Sequence, residues 1–315
     1  MTFGIDSVRQ LQDKFPQLKL IGNTPLVELG LFKDELPDIR LFAKVEGFNP
    51  GGSLKDRPVL FMMAEALYTG RLDGGKTVID SSSGNAAIAY SMLGAILKTP
   101  VELVIPANAS EERKKRIIAH GASIHYTDAA LGYDEALREV ARKAEEHPDR
   151  YYFCDQYKND CNWLAHFETT GKEILQQVDG DLTHFIAGVG TGGSITGVGR
   201  RMREDAPGVE VHCIRPELFP GIEGLKPLGS PGDIVPEIFD ETVVDNYWDI
   251  SIEEAYDMCQ RLAAQGLFAG QSSGAYLAGA YKLAKTIRKG TIVTILCDIG
   301  ERYFSTRLWD PELLR

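Results

Sequence analysis

Short apolar, β-branched runs alternate with longer amphipathic stretches along most of the chain, and this alternation limits the folds available to it. Val101–Ile105 precedes the helical pattern of Glu111–Ala119, and Thr183–Ala187 precedes that of Ile195–Asp205. Repeated strand–helix units predict parallel sheets with helices on both faces. Because a domain has about 150 residues, the chain is expected to form two doubly wound α/β domains. No linker is evident, so we expect an interface between them whose cleft holds a ligand.

The second half of the chain carries further local signals. Trp163–Val178 and Ala275–Arg288 have helical periodicity, and Thr242–Val244 has the composition of a short strand. Ser251 precedes another helical pattern, and Glu254 follows three residues later. This pair predicts a capping box at the start of that helix.

The charge balance excludes one class of partner. The chain has 34 Lys and Arg against 45 Asp and Glu, which gives a net charge of −11. Such an acidic chain is not expected to bind nucleic acid or an anionic membrane. No window approaches the roughly 18 consecutive apolar residues of a membrane-spanning helix, and the first residues lack the pattern of a targeting signal. We therefore expect a cytoplasmic protein.

Cysteine and histidine spacing also restricts the chemistry. The five cysteines are scattered and none has CxxC spacing. An odd, scattered set predicts reduced thiols, not a disulfide framework. The six histidines form no HExxH motif and no Cys/His cluster, so we expect no metal site.

The first motif is NPGGSLKDR, at 49–57. Ser53 and Asp56 fit a capping box, which would place Lys55 at the second position of a helix. A cation is disfavoured there because the helix dipole makes the N-terminus positive. The lysine is either a tolerated surface residue or an amine kept neutral and nucleophilic by that field.

The second motif is SSSGN, at 81–85, between an apolar strand and a helix. Hydroxyls, a glycine and the amides of a helix start can bind a carboxylate or a phosphate. The same composition is also compatible with an ordinary polar turn.

The third motif is GVGTGGS, at 188–194, again between a strand and a helix. It matches the GxGxxG dinucleotide fingerprint, and Glu217 after the next strand could bind a ribose, so a nicotinamide-dependent dehydrogenase is one alternative. Thr191 and Ser194 instead suit a terminal phosphate. The motif also lies late in the chain, whereas the fingerprint usually opens its domain.

The fourth motif is GQSSG, at 270–274, which matches the GxSxG nucleophile elbow of hydrolases. In that fold the histidine of the triad follows the serine along the chain. The last histidine of this chain is His212, so the required order fails and a serine hydrolase is rejected.

Taken in order, the four motifs resemble the signature set of fold type II pyridoxal-phosphate enzymes, the tryptophan-synthase-β type. The resemblance is strongest to the cysteine synthases (O-acetylserine sulfhydrylases), in particular their B-type branch. It covers nearly the whole chain, since IGNTPLVEL, VELVIPANASEERKK, GIEGLKPL and GERYFST also look familial. The resemblance implies two doubly wound domains with the cofactor in the cleft between them, at 47–155 and at 1–46 with 156–315.

The resemblance also implies a role for individual residues. Lys55 would carry pyridoxal 5'-phosphate as an aldimine and transfer the substrate's α-proton, Asn85 would hydrogen-bond the ring hydroxyl, and Ser272, with Ser273 as the alternative, would face the pyridine nitrogen. The phosphate would be bound by Gly190, Thr191, Gly192, Gly193 and Ser194. The substrate carboxylate would be bound by Ser82, Ser83, Gly84 and Gln156.

The implied reaction is a β-replacement, in which an O-activated L-serine loses its activated oxygen and a sulfur nucleophile adds to give L-cysteine. The family usually has Thr-Gly after the substrate-loop asparagine, whereas this chain has Ala86 and Ala87. O-acetylserine, O-phosphoserine and serine therefore stay open as donors, and sulfide, thiosulfate, a thiocarboxylate or an amine as nucleophiles. Cystathionine β-synthase-like, diaminopropionate synthase-like and serine dehydratase-like activities are the related alternatives. The implied partners are small molecules, a second copy in a homodimer and a sulfur-carrier protein.

Overall fold

The computed structural model describes residues 3–228 and 235–310. The chain packs as two compact units, one made of Met1–Ile21 and Lys55–Asn162, the other of Gly22–Leu54 and Trp163–Arg315. These units differ from the predicted domain limits of 47–155 and 1–46 with 156–315. The main difference concerns the segment 1–21, which was expected in the larger domain. That segment joins the first unit, where the Phe3 ring packs against Phe61 and Tyr68.

Helices and strands are numbered in chain order within the described residues. The strands are β1 (Leu26–Leu29), β2 (Ile39–Val45), β3 (Thr77–Ser81), β4 (Val101–Pro106), β5 (Ser123–Thr127), β6 (Tyr151–Phe153), β7 (His184–Gly188), β8 (Glu210–Pro216), β9 (Asn246–Ile250) and β10 (Gly290–Leu296). The α-helices are α1 (Ile5–Lys14), α2 (Asp56–Tyr68), α3 (Asn85–Leu97), α4 (Glu111–Ala119), α5 (Gly132–Glu146), α6 (Cys161–Ala165), α7 (Lys172–Gln177), α8 (Gly193–Asp205), α9 (Ile252–Ala264) and α10 (Gln271–Ile287). Short 3₁₀ turns lie at Pro16–Leu20, Glu46–Phe48, Ala129–Leu131, Glu241–Val243, Gly300–Tyr303 and Arg307–Trp309.

The first unit contains a four-stranded sheet in the order β5-β4-β3-β6, and every pairing in it is parallel. β4 is buried along its whole length, as expected for a strand covered on both faces. Helix α3 consists mostly of small apolar residues and is buried almost throughout. The carboxyl end of β3 therefore leads directly into the SSSGN turn and α3.

The second unit contains a six-stranded sheet in the order β1-β2-β10-β7-β8-β9. Five of its strands run parallel, whereas β1 pairs antiparallel with β2, so the prediction of parallel sheets needs this correction at one edge. A short connection joins β1 to β2, and only an antiparallel pair can be joined without a crossover. In the core of the second unit, β7, β8 and β10 pack against α10.

Several local predictions are confirmed and others need correction. The capping box at Ser251 and Glu254 is present. Thr242–Val244 is not a strand, because Asp240 caps a 3₁₀ turn there, and the edge strand β9 begins at Asn246. The predicted helix over Trp163–Val178 is interrupted by a π-helical segment, His166–Gly171, between α6 and α7. α10 begins at Gln271, four residues earlier than predicted.

The five cysteines are all buried and none forms a disulfide, in agreement with the prediction of reduced thiols. Across residues 3–228 and 235–310, no helix combines the length and the apolar character that crossing a membrane requires.

Candidate active site

Lys55 lies immediately before α2, at its N-cap position, with a half-buried side chain. Its carbonyl oxygen accepts the hydrogen bond of the Val59 amide at 3.1 Å. The predicted capping box is absent, since α2 begins at Asp56 without a side-chain cap, and Lys55 therefore stands two positions earlier than expected, at the N-cap and not at the second helical position. It remains at the positive end of a helix, where a permanent cation is disfavoured.

The SSSGN turn joins β3 to α3, and Gly84 is the N-cap residue of the helix. The Ser82 hydroxyl accepts a hydrogen bond from the Gly84 amide at 3.2 Å. Gln156 is buried, and its Nε2 donates to the carbonyl oxygen of Ser81 at 3.3 Å. The half-buried members of the turn are Ser83, Gly84 and Asn85. The structure therefore brings Gln156 to the substrate loop that the sequence predicts.

A buried carboxyl group beneath this turn was not anticipated. Asp80, in β3, accepts hydrogen bonds from the Tyr90 hydroxyl at 2.6 Å and from the Ser81 amide at 2.7 Å. Burial raises the pKa of Asp80 to about 7, although the bonds from Tyr90 and Ser81 act to lower it. Asp80 is thus a titratable group directly below the backbone of the predicted substrate loop. An acidic residue directly after the apolar pair Val78 and Ile79 was the available sequence signal.

In the second unit, the loop Gly188–Ser194 follows β7 and leads into α8. Gly192 is the N-cap of α8, with a φ of +85° that favours glycine. A Cβ atom on Gly190 would lie 2.5 Å from the carbonyl oxygen of Gly224, and one on Gly192 would lie 2.8 Å from the Cβ of Phe239. A side chain at either position would collide with its neighbours, so the turn requires glycine at both.

The segment Ile222–Lys226 is a second element of this site that the motifs did not reveal. The Lys226 amide donates to the Val189 carbonyl at 2.7 Å, and the Glu223 amide donates to Gln271 Oε1 at 3.0 Å. It thereby ties the glycine loop to the start of α10. Its only sequence signal was the familial GIEGLKPL string, which by itself implied no role.

Ser272 is placed beside this segment. A Cβ atom on Gly224 would lie 3.8 Å from Ser272 Oγ. Within the described residues, the structure assigns no hydrogen bond to the Ser272 hydroxyl, whereas Ser273 Oγ accepts the Cys297 amide at 2.8 Å. Of the two serines that the sequence left open, Ser273 is thus engaged with the backbone and Ser272 is available to a ligand.

The residues behind the rejected alternatives have structural uses. Glu217 Oε1 accepts the Ile252 amide at 2.6 Å, so the candidate ribose ligand is bonded to the start of α9. In the would-be nucleophile elbow, Ser272 lies in the first turn of α10, and no histidine follows it along the sequence. Neither a nicotinamide site nor a hydrolase triad is supported.

The residues of the glycine loop fit a phosphate group. The first amides of α8 have no acceptors inside the helix and sit at its positive end, and Thr191 and Ser194 add hydroxyl donors. The Gly193 amide makes only a long contact of 3.4 Å to Thr191 Oγ1. Gly190 and Gly192 allow the loop to pack closely against Gly224 and Phe239, which fixes its backbone. Such a donor set is suited to a phosphomonoester dianion.

Comparison with known proteins agrees with this chemistry. A family described as pyridoxal-phosphate dependent enzyme matches residues 18–298. A cysteine synthase of Aquifex aeolicus is 47% identical over 303 residues, covering 94% of this chain and 92% of the relative. Cysteine synthase B of Escherichia coli is 38% identical, with 93% and 95% covered.

Solved structures agree with the sequence comparison. An O-ureido-L-serine synthase superimposes with a TM-score of 0.87 at 35% identity, covering 94% of this chain and 95% of that one. A cysteine synthase of Entamoeba histolytica gives 0.86 at 31%, covering 95% and 94%. The chain therefore belongs to the fold type II pyridoxal-phosphate dependent enzymes and, among them, to the cysteine synthase family.

Proposed function

We propose that this enzyme makes L-cysteine by β-replacement, from an O-activated L-serine and a sulfur nucleophile, with pyridoxal 5'-phosphate as its cofactor. The observation that carries the proposal is the cradle of the second unit. There, Gly190 has no room for a side chain against Gly224, and the Ser272 hydroxyl lies beside the same residue. This arrangement supports a phosphate site with a neutral hydroxyl group near it for the ring nitrogen, the combination that this cofactor requires.

Four groups of residues have assigned roles in this proposal. Lys55 holds the cofactor covalently and moves the proton at the substrate's α-carbon, and Asn85 hydrogen-bonds the ring hydroxyl. The phosphate is bound by Gly190, Thr191, Gly192, Gly193 and Ser194. The substrate carboxylate is bound by Ser82, Ser83, Gly84 and Gln156. When bound, pyridoxal phosphate supplies an electron sink for the pair released at the α-carbon.

Ser272 sets the course of the reaction. A hydroxyl group facing the pyridine nitrogen accepts or donates a hydrogen bond but cannot hold a proton there as an aspartate would. Ser272 would therefore leave the ring nitrogen largely unprotonated, which favours loss of the β-substituent over transamination. Gly84 and its neighbours bind the substrate carboxylate and so fix the position of the α-proton relative to Lys55. Such orientation lowers the barrier to proton transfer.

The test begins with the cofactor. We expect the purified protein to be yellow, to lose its colour on borohydride treatment and to retain the reduced label on Lys55 in peptide mass spectrometry. A colourless protein that binds NADH would contradict the proposal.

The donor and the nucleophile are then identified with a matrix of substrates. Serine, O-acetylserine and O-phosphoserine are each assayed against sulfide, thiosulfate, a protein thiocarboxylate and an amine. We expect cysteine formation from an O-activated serine with a sulfur nucleophile. Faster turnover with an amine, or release of ammonia and pyruvate alone, would instead support the diaminopropionate synthase-like or dehydratase-like alternative.

We also propose that the enzyme acts in the cytoplasm as a homodimer and that a sulfur-carrier protein can serve as donor. The five buried, reduced cysteines support a reducing compartment. Light scattering after size exclusion tests the dimer, for which the expected mass is about twice that of the 34.7 kDa chain.

The sulfur-carrier protein is tested in two forms. The form that ends in a thiocarboxylate should support cysteine formation, and the form that ends in an ordinary carboxylate is the control.

A further inference from the structure

Three side chains of the second unit converge at the amino-terminal end of its sheet. β7 and β8 are parallel, with His184 paired to Glu210 and Ile186 paired to His212. Since side chains two residues apart share a face, His184, Glu210 and His212 lie on the same face. One ligating atom from each lies within 4.8 Å of the others. Gly188, where the glycine loop begins, is about 13 Å further along β7, so this cluster is separate from the proposed cofactor site.

His184 is held in the state that a metal ion needs. Its Nδ1 is 2.7 Å from Thr183 Oγ1. That hydroxyl donates its own hydrogen to the Thr291 carbonyl and accepts the Thr291 amide, so His184 Nδ1 must be the donor. The lone pair of the neutral ring is then on Nε2, 4.0 Å from Glu210 Oε2. A ligating histidine typically donates its other ring N–H in this way.

His212 is also positioned to ligate a metal ion through Nε2, but its ring is in the opposite tautomer to that of His184. Its side chain is only 2% exposed, and its Nε2, without a hydrogen-bond partner in the described part of the chain, lies 3.6 Å from Glu210 Oε2. The indole Nε1–H of Trp248 donates to His212 Nδ1 at 3.1 Å. The ring proton is therefore on Nε2 and must move to Nδ1 before Nε2 can ligate a metal.

We propose that His184 Nε2, His212 Nε2 and a carboxylate oxygen of Glu210 bind a divalent transition-metal ion of the zinc class. Two imidazoles and one carboxylate form a donor set that Zn²⁺ prefers, with water as the fourth ligand. Metal–ligand bonds of about 2.1 Å place tetrahedral ligands roughly 3.4 Å apart, so the cluster has to contract by about an ångström. Glu210 Oε2 is 4.0 and 3.6 Å from the two Nε2 atoms, and its 56% exposed side chain can close these distances and leaves a route of entry, whereas the rest of the contraction has to come from the two imidazole rings.

The Trp248 hydrogen bond acts against the metal ion. Binding shifts the His212 proton to Nδ1, where it faces the indole N–H, and this bond is lost. A neutral hydrogen bond contributes about 0.5–1.5 kcal/mol, or roughly two- to tenfold in affinity. Trp248 therefore weakens the site, and its removal should strengthen binding. The linear sequence predicted no metal site because the ligands come from two strands and have no helical spacing.

The test is calorimetric titration of the untagged, EDTA-treated holoenzyme with Zn²⁺ alone. We expect one equivalent per chain. Glu210→Gln should weaken binding at least tenfold, and so should His184→Gln and His212→Gln, whereas Trp248→Phe should tighten it about two- to tenfold. The matched control is His125→Gln, because His125 also lies beside a glutamate, Glu139, at 3.3 Å but belongs to no three-ligand cluster among the residues that the structure describes.

Two readouts keep the proposal testable if a buried histidine variant fails to fold. Glu210 is exposed and Trp248→Phe keeps an aromatic ring, so both should leave the circular dichroism spectrum unchanged. Binding in the wild type that is insensitive to Glu210→Gln would overturn the proposal, as would weaker binding in Trp248→Phe or an equal loss in His125→Gln. Absence of Zn²⁺ binding up to millimolar concentration would overturn it as well.

Discussion

The serine loop, residues 81–85 after β3, and the glycine loop, residues 188–194 after β7, have the same position in their sheets but differ in how closely they are packed. Both connect the carboxyl end of a parallel strand to a helix. In the glycine loop, a Cβ atom on Gly190 would press against the Gly224 backbone, and Gly192 needs a positive φ. In the serine loop, a Cβ atom on Gly84 would have nothing within 4 Å. One loop is closely packed and the other has free space around it.

This difference matches the two proposed tasks. A phosphate group held throughout every turnover needs amides fixed in advance, because rigid donors lose no free energy to reorganisation. A loop that takes up and releases substrate needs room to move. The Ser81 amide at the start of the serine loop is hydrogen-bonded to Asp80, a group whose charge depends on pH.

The largest expected effect comes from Lys55→Ala, which removes the chemistry and leaves both loops in place. We expect loss of turnover and of the yellow colour, with little change in the melting temperature, because truncating a half-buried side chain leaves no core cavity. Absorption spectra and cysteine formation measure it. A variant without colour that still carries out β-replacement would contradict the assignment of Lys55.

A matched glycine pair tests the comparison of the loops directly. Gly190→Ala places a methyl group against backbone, and such overpacking costs about 1–3 kcal/mol of the free energy of unfolding. We also expect cofactor affinity to fall at least tenfold. Gly84→Ala should leave both quantities nearly unchanged and alter the substrate KM instead. Thermal unfolding, cofactor titration and steady-state kinetics decide. Equal destabilisation by both substitutions would remove the distinction.

The next effect concerns Asp80. Its folded pKa is about 7 and its ordinary value is 3.8. Between these values the unfolded chain releases a proton that the folded protein keeps, so the free energy of unfolding falls as pH rises through this window. The Asp80→Asn variant has no titrating group at this position, so its free energy of unfolding lacks this dependence on pH. We expect the free energy of unfolding, measured with urea at pH 5, 6, 7 and 8, to fall with increasing pH in the wild type relative to the Asp80→Asn variant.

Tyr90→Phe is the control for that experiment. The Tyr90 hydroxyl lowers the Asp80 pKa, so its removal should extend the same pH-dependent loss to higher pH. A constant difference between wild type and Asp80→Asn over the whole range would contradict the raised pKa.

The smallest effect is expected for Ala86→Thr, which restores the residue usual in the family at the second, buried position of α3. A hydrogen bond to a charged group contributes about 1.5–3 kcal/mol, but Ser82, Ser83 and the loop amides already supply donors. We expect little gain in kcat/KM with O-acetylserine and a loss with the larger O-phosphoserine. A large gain with the first donor and no loss with the second would rule out a larger substrate.

The sequence by itself determined the alternating strand–helix order and the position of all four motifs at the ends of elements. These are local properties, because periodicity and capping depend on residues a few positions apart. The motif set also carried the family. Lys55, the glycine loop and Gln156 could therefore be named as site candidates before any contact was known.

Only the tertiary structure decided which distant residues meet. It bonded Ser273 to the Cys297 amide, placed Gly224 against Gly190, and paired Asp80 with the Tyr90 hydroxyl. It also brought His184, Glu210 and His212 together through the register of two strands. No local pattern specifies such contacts, because they depend on strand order and on burial. Burial also changes the chemistry of a residue, as the raised pKa of Asp80 shows.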